Sequence, residues 1–304
     1  MVAWPKLSRS ANRTPTVTVL TTTHIDVLDL LDRTASSLVE QKSPDGRPVP
    51  ELWWSIGVDG NADDAWQTLQ AAKKAVGDHP IKDRIRANHT IRKRGDTCPA
   101  QNMALTKGFH HTDFTLLMDG DDWFTPTGVS DLVNGCRDEN VWWSVGAKER
   151  ANAAGEISPG ADISHLVGTH QPGQLYPHEY AHIDNLVAAS ALAVRTPLLL
   201  QVGISPFPNS NDTALLAKLS AVASGAVIPD VVVTKLGHEN QKTKDPQFLA
   251  AVVEWHNLAL RAGSMFGSAY TALGGELPRD ANRFTEQHAR KHNPAPLKRA
   301  RTKK

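Results

Sequence analysis

Short apolar segments alternate with longer amphipathic segments through the first 125 residues of the chain. Alternating or continuous β-branched and apolar residues predict strands at 16–21, 52–58 and 114–118. Periodic apolar positions predict helices at 26–39, 63–76 and 99–109. We expect Asp26 to cap the first helix, Asp63 or Asp64 to open the second, and Trp66 to face inward. This alternation predicts an α/β fold, with a mostly parallel sheet covered by helices on both faces.

The second half of the chain is less regular. Strands are predicted at 141–145, 192–194 and 227–233, and helices at 211–221 and 246–261. Residues 151–184 are rich in Gly, His and Pro, which indicates loops, and we expect these loops to shape a site for a second substrate.

Polar residues follow the predicted strands, where an α/β sheet binds its ligands. The sequence after the third strand, DGDD, places three carboxylates within four residues, Asp119 to Asp122. Carboxylates this close repel one another, and they are the oxygen ligands that Mg²⁺ and Mn²⁺ prefer. Such an ion can bridge the phosphates of a nucleoside diphosphate. A solvated acidic turn is the alternative explanation of this segment.

Four segments occur in the order TVTVLTTTHID, WWSIGVDGNADD, CPAQNMALTKGFHHTDF and LLMDGDDWFTP. In these segments the chain resembles the inverting family-two glycosyltransferases, over about residues 16–240. The resemblance implies a GT-A fold, the nucleotide-diphospho-sugar transferase fold, with a mostly parallel central sheet between helices. It also implies a metal-dependent enzyme that transfers a sugar from a UDP- or GDP-type donor to a hydroxyl of a glycan, a protein or a nucleic acid.

The resemblance also implies roles for individual residues. Asp121 matches the metal-binding aspartate, with Asp119 and His238 completing the site for Mn²⁺ or Mg²⁺. The residues that match the nucleotide-sugar-binding positions, or that stand in for them, are Thr22, His24, Asp59, Lys93, Arg94 and Asp119. His24 stands where the family often has Tyr, which could change how the base is stacked. Gln101 stands where an Arg is frequent, so Arg92, Lys93 or Arg94 is expected to contact the diphosphate instead.

The segment PNSNDTALLAKL resembles the part of the family that supplies the catalytic base, and Asp212 matches that base. Asn211 replaces the usual Glu before it. A helix N-cap is the structural alternative for Asp212, because Asp is favoured at that position.

Composition narrows the class of protein without selecting a function. At 304 residues and 40% hydrophobic, the chain can bury a core large enough for an enclosed active site. Its formal net charge is +1. The two cysteines form no CxxC pair, and no stretch approaches the roughly 20 apolar residues of a bilayer span, so a cytoplasmic enzyme is expected. The expected organisation is a flexible N-terminus 1–13, a GT-A domain 14–240 with a donor half 14–125 and an acceptor half 126–240, a helical extension 241–290 and a basic disordered tail 291–304.

Parts of the sequence are also compatible with three other functions. His178, Glu179 and His182 form the HExxH pattern of zinc proteases, but the following residues offer no suitable third ligand. A sugar-phosphate nucleotidyltransferase would need a Gly-rich phosphate loop after the first strand, where the chain has TTTHID. The basic tail allows contact with nucleic acid or another acidic partner, although the balanced net charge weakens the prediction of a nucleic-acid-binding protein.

Overall fold

The structure is a computed structural model that describes residues 13–44, 46–90, 97–172, 189–204 and 211–237. The strands are β1 Thr16–Thr23, β2 Glu51–Val58, β3 Ile85–His89, β4 Phe114–Asp119, β5 Trp123–Phe124, β6 Trp143–Ala151, β7 Ile157–Pro159, β8 Gly168–His170, β9 Leu192–Arg195 and β10 Gly225–Leu236. The α-helices are α1 Leu31–Val39, α2 Ala62–Ala75, α3 Thr97–Thr106, α4 Gly128–Gly135, α5 Thr196–Val202 and α6 Asn211–Val222. Short 3-10 helices cover Ile25–Leu30, Pro80–Arg84, Ser164–Leu166 and Ala189–Ala191.

All ten strands belong to one mixed sheet with the order β3-β2-β1-β4-β9-β6-β10-β5. The first four strands are parallel, and so are β6 and β10. The strand between these two groups, β9, is antiparallel to both of its neighbours. Short β7 and β8 pair with β6 and β10 outside this path. The predicted α/β fold with a mostly parallel central sheet is confirmed.

The sheet separates two apolar cores, because successive side chains of a strand point to opposite faces. On β1, Val17 and Val19 pack in the core that is covered by α1, α2 and α4, whereas Leu20 packs in the core that is covered by α3, α5 and α6. Leu116 and Leu117 of β4 divide in the same way. Burial on both faces explains why β4 is almost entirely apolar in sequence.

Helix α3 packs unusually close to the sheet at Gly57 of β2. A Cβ atom at this position would lie 2.0 Å from the carbonyl oxygen of Ala100. The absence of a side chain at Gly57 therefore sets the depth of α3 above the ends of β1 and β2.

Two predicted helix starts differ from the structure. Asp26 lies inside the 3-10 helix Ile25–Leu30, and α1 begins only at Leu31. Asn61, and not Asp63 or Asp64, caps α2: its side-chain oxygen accepts from the amides of Asp63 at 2.8 Å and Asp64 at 3.1 Å. The Asp64 carboxylate accepts in return from the Asn61 amide, which completes a capping box.

The prediction for Trp66 was wrong. Its side chain is 62% exposed, because Ala65, Thr68 and Ala72 form the buried face of α2. Trp66 lies about 100° around the helix from Ala65, so only one of the two can face the sheet.

Several short elements were not predicted. Strand β3 was missed because its sequence, IRANH, has only two apolar residues, and helices α4 and α5 have eight and seven residues. The segment predicted as loops from residue 151 contains the three-residue strands β7 and β8 in its described part. Strand β6 begins two residues later than predicted and continues through Lys148 and Arg150 to Ala151.

Among the described residues, no helix combines the length and the apolar character that crossing a membrane requires.

Candidate active site

Four of the predicted donor-site residues lie at one edge of the sheet, where β1, β2 and β4 end. Thr22 of β1 pairs with Asp119 of β4 on one side and with Gly57 of β2 on the other. Asp59 follows β2 directly, and its amide donates to the carbonyl of Thr23 at 2.9 Å. His24 follows β1 at the same edge. The parallel strands therefore place Thr22, His24, Asp59 and Asp119 together, as the sequence predicts.

The three carboxylates after β4 form a compact cluster. Asp119, Asp121 and Asp122 each offer an oxygen atom, and these atoms lie within 4.8 Å of one another. The turn that carries them is fixed by the Thr34 hydroxyl, which donates to the carbonyls of Gly120 at 3.2 Å and Asp122 at 2.8 Å. A side chain of α1 thus fixes the main chain of the turn that carries this acidic cluster.

Asp122 lies at the buried side of the cluster. Its Oδ2 accepts from the Ser190 hydroxyl at 2.7 Å, and its Oδ1 accepts from the Leu236 amide at 3.2 Å. Burial raises the pKa of Asp122 to about 7; the Lys235 ammonium opposes this rise, while the charges of Asp121 and Asp119 add to it. Both oxygens are engaged within the protein, so Asp122 is suited to anchoring the cluster.

Lys235 of β10 contacts two of the three carboxylates. Its Nζ lies 3.3 Å from Oδ2 of Asp119 and 3.5 Å from Oδ2 of Asp122. The ammonium is partly exposed, with 32% of the side-chain surface accessible. Lys235 therefore supplies positive charge to the cluster from the other half of the sheet.

The chemistry of the cluster fits a divalent cation. Asp119 and Asp121 are only partly buried, so each can turn an oxygen outward, and hard cations such as Mg²⁺ and Mn²⁺ take carboxylate oxygens as ligands. Asp119 and Asp121 are hence the residues that could hold the ion, with Asp122 behind them.

Beside the cluster, the ends of β1, β2 and β3 form a polar row. Thr22, Gly57 and Asn88 are paired across the three strands. The Thr22 hydroxyl and the Asn88 amide nitrogen are buried and have no hydrogen-bond partner among the described residues. Since a buried polar group without a partner is costly, both atoms are suited to a ligand that supplies one.

Asp59 is the third polar group of this region. It is 7% exposed, and its Oδ1 accepts from the Thr90 hydroxyl at 3.2 Å. The same hydroxyl accepts from the Gly60 amide at 3.2 Å, which fixes the turn after β2. The orientation of the Asp59 carboxylate is thus fixed within the protein before any ligand binds.

Some predicted site residues cannot be placed. Lys93, Arg94 and His238 lie outside the described residues, and so do the HExxH segment and the chain beyond residue 237. Asp212 is the second residue of α6, and only its main-chain position is described.

The structure adds residues that the sequence analysis did not assign. Ser190 and Thr90 are ordinary hydroxyl residues whose importance follows only from their contacts with Asp122 and Asp59. Asn88 belongs to β3, a strand that the apolar pattern does not reveal. The DGDD sequence contains Asp122, but its full burial becomes visible only in the fold.

No protein-family profile matches the sequence, and no characterised protein matches it in a sequence comparison. Solved structures do match the fold. The structure of residues 1–349 of TarS from S. aureus aligns with a TM-score of 0.52 and 14% identity, over 78% of this chain and 70% of that one. The complex of the same TarS fragment with UDP-GlcNAc aligns with a TM-score of 0.55 and 14% identity, over 78% of this chain and 64% of that one, slightly less than two thirds.

A second protein matches over more of the chain. The mannosyltransferase PcManGT from Pyrobaculum calidifontis, in complex with GDP-Man and Mn²⁺, aligns with a TM-score of 0.51 and 16% identity, over 90% of this chain and 80% of that one. At such low identity the likeness concerns the fold. The chain accordingly has the GT-A-type fold of glycosyltransferases, as its sequence motifs predict.

Proposed function

We propose that the protein is a glycosyltransferase that uses a nucleotide-diphosphate sugar and a divalent cation. The observation that carries the proposal is the position of the acidic cluster beside the Thr22 and Asp59 region, at the carboxyl ends of parallel strands in a GT-A-type fold. The matched structures that hold UDP-GlcNAc, or GDP-Man with Mn²⁺, support this chemistry for the fold.

In the proposed site, Asp119 and Asp121 hold the cation through their outward oxygens. Such a cation, Mn²⁺ or Mg²⁺, would supply positive charge against the diphosphate leaving group. Asp122 accepts hydrogen bonds from Ser190 and Leu236 and keeps the turn in place. A fixed arrangement of charges favours the transition state because no reorganisation is needed when the bond breaks.

The nucleoside is proposed to lie along the polar row. The Asp59 carboxylate can accept from an N–H group of the base or a hydroxyl of the ribose, and the Thr22 hydroxyl and the Asn88 amide can reach the remaining polar atoms. His24 lies at the rim, 36% exposed, where its ring can lie against the base. Lys93 and Arg94 are proposed to add contacts with the diphosphate, and His238 is proposed to complete the metal site.

Asp212 is proposed as the general base of an inverting reaction. In that reaction the carboxylate takes the proton of the acceptor hydroxyl while the oxygen attacks the anomeric carbon from the face opposite the diphosphate. The support is the resemblance of its segment and its place at the start of α6. The acceptor half, residues 126–240, is proposed to bind the acceptor, and a cytoplasmic location remains part of the proposal.

A thermal-shift screen tests the proposal. The full-length protein is heated with UDP, GDP, dTDP or CMP, each with MnCl₂, with MgCl₂ or with a chelator. One nucleoside diphosphate should raise the melting temperature, and chelation should remove most of that rise, because a ligand stabilises the state that it binds. Equal melting curves under all of these conditions would contradict the proposal.

A further inference from the structure

The Lys235 ammonium lies beside the acidic cluster, where the carboxylates would also attract a metal cation. It lies 3.3 Å from Asp119 and 3.5 Å from Asp122, so one positive charge contacts two of the three carboxylates. Asp122 is fully buried and cannot turn to solvent, whereas Asp119 is 29% exposed on its side chain. Asp119 is also proposed to hold the metal ion, so Lys235 and the cation would compete for the same carboxylate.

A divalent cation and the ammonium cannot keep these positions together at low cost. Oxygen ligands of Mg²⁺ lie about 2.0–2.1 Å from the ion, which would bring an ion on Asp119 to within a few ångströms of Nζ. Like charges at such a distance repel strongly where water is partly excluded. Binding of the cation must therefore weaken the contact between Lys235 and Asp119.

The lysine side chain is long and only partly enclosed, so it can change its contacts. Its stem is flexible, 32% of its side chain is exposed, and β10 fixes its Cα beside the cluster. A cation on Asp119 and Asp121 would also bind the donor phosphates, so a displaced ammonium would remain within reach of negatively charged phosphate oxygens.

We propose that Lys235 is a binding residue that neutralises Asp119 and Asp122 before the divalent cation binds, and that it then turns to the diphosphate of the donor. The inference rests on the proposed function. It assigns to one lysine two opposite effects: it weakens the binding of the cation alone, and it strengthens the binding of the nucleoside diphosphate once the cation is present.

The two effects can be measured without turnover. Mn²⁺ binding to the full-length protein is titrated by electron paramagnetic resonance, for the wild type and for Lys235→Met. The variant should bind Mn²⁺ alone about tenfold more tightly, because the competing charge is gone. With Mn²⁺ saturating, it should bind UDP or GDP several-fold more weakly, while uridine or guanosine binds as before.

Control variants test whether the effects come from the charge at position 235 and not from the loss of a lysine charge elsewhere. Lys82→Met removes an exposed lysine that pairs with Asp78, and it should leave both affinities unchanged. Lys235→Arg keeps the charge and should stay close to the wild type in Mn²⁺ affinity. Circular dichroism checks folding, and Lys235→Gln replaces Lys235→Met in every comparison if the methionine variant does not fold.

Each outcome bears on the inference. Equal or weaker Mn²⁺ binding by Lys235→Met would overturn it, and the metal-dependent function would stand as long as the wild type binds Mn²⁺. Tighter Mn²⁺ binding with unchanged diphosphate affinity would overturn the second role alone. No Mn²⁺ binding by either protein at millimolar concentration would overturn both the inference and the proposed metal site.

Discussion

The main-chain amide of Gly120 donates a hydrogen bond to the main-chain carbonyl of Thr22, with a nitrogen–oxygen distance of 2.8 Å. This bond links the acidic cluster after β4 to the polar row at the end of β1. In the sheet, Thr22 pairs with Asp119, and this hydrogen bond extends the pairing by one residue along the chain, to Gly120. The proposed metal ligands and the proposed nucleoside contacts are consequently parts of one rigid edge.

Replacement of Gly120 should disturb both parts of this edge. A Cβ atom at Gly120 would lie 2.8 Å from the Thr22 carbonyl oxygen and 2.9 Å from the Thr23 Cβ. For Gly120→Ala we expect a loss of about 1–3 kcal/mol in the free energy of unfolding, as is typical of overpacking. Urea denaturation measures this loss, and Mn²⁺ affinity should fall in the same variant. If both the free energy of unfolding and the Mn²⁺ affinity equal those of the wild type, the turn accommodates the added methyl group without strain.

Removal of the Asp121 carboxylate should abolish the dependence of nucleotide binding on metal. Asp121→Asn retains the size of the side chain but loses the charge that a hard cation requires. In the thermal-shift assay, MnCl₂ should no longer add to the stabilisation by UDP or GDP. The matched control, Asp83→Asn, removes an exposed carboxylate from the 3-10 helix Pro80–Arg84 and should behave as the wild type. Full metal dependence in Asp121→Asn would exclude Asp121 as a ligand.

Arg195 is expected to contribute to stability without any role in the reaction. It is 3% exposed and donates to the carbonyls of Val141 at 2.8 Å, and of Cys136 and Asp138 at 3.0 Å each. Arg195→Met would remove the guanidinium donor from the buried carbonyls of Val141 and Cys136, at about 1–3 kcal/mol for each, whereas the Asp138 carbonyl would keep the Val141 amide at 2.9 Å. We therefore expect the free energy of unfolding, measured by urea denaturation, to fall by at least about 2 kcal/mol. Arg137→Met, at an exposed position, should lose little.

The sequence predicts the elements whose apolar pattern is long and uninterrupted. Strand β4 and the carboxylates after it follow from the residues alone, because FTLLM is buried on both faces. The pattern does not reveal β3, where charge and short length hide the strand, and Asn88 is therefore missed. It also cannot reveal Ser190 or Lys235 as partners of Asp122, since 68 and 113 residues of chain separate these contacts. Such contacts depend on strand order, which local periodicity does not encode.

The proposed base can be separated from a structural role by one isosteric change. Asp212→Asn preserves the shape of the side chain and much of its capacity to accept hydrogen bonds at the start of α6, but removes its basicity. Loss of a positioned base typically lowers a rate by ~10²- to 10⁴-fold. We expect transfer to fall by about this factor, while the affinities for Mn²⁺ and for the nucleoside diphosphate remain those of the wild type. A rate close to the wild type would leave Asp212 a structural residue of the helix.

Two adjacent threonines of β1 give a test of the proposed nucleoside contact. The Thr22 hydroxyl is buried without a partner among the described residues, whereas the Thr21 hydroxyl accepts from the indole nitrogen of Trp54 at 2.8 Å. Both threonines are at most 5% exposed, so Thr→Val changes the same atoms in similar surroundings. We expect the free energy of unfolding of Thr22→Val to lie within about 1 kcal/mol of the wild-type value, because the hydroxyl has no hydrogen-bond partner among the described residues.

Thr21→Val should instead lose about 1–3 kcal/mol, since the buried Trp54 nitrogen would lose its acceptor. Nucleotide binding should show the opposite order: Thr22→Val should reduce the rise in melting temperature caused by UDP or GDP, and Thr21→Val should preserve it. Urea denaturation and thermal shift on the two variants give four values. If Thr22→Val keeps the full nucleotide response, the hydroxyl does not contact the donor, and the nucleoside must be held by Asp59 and Asn88 without it.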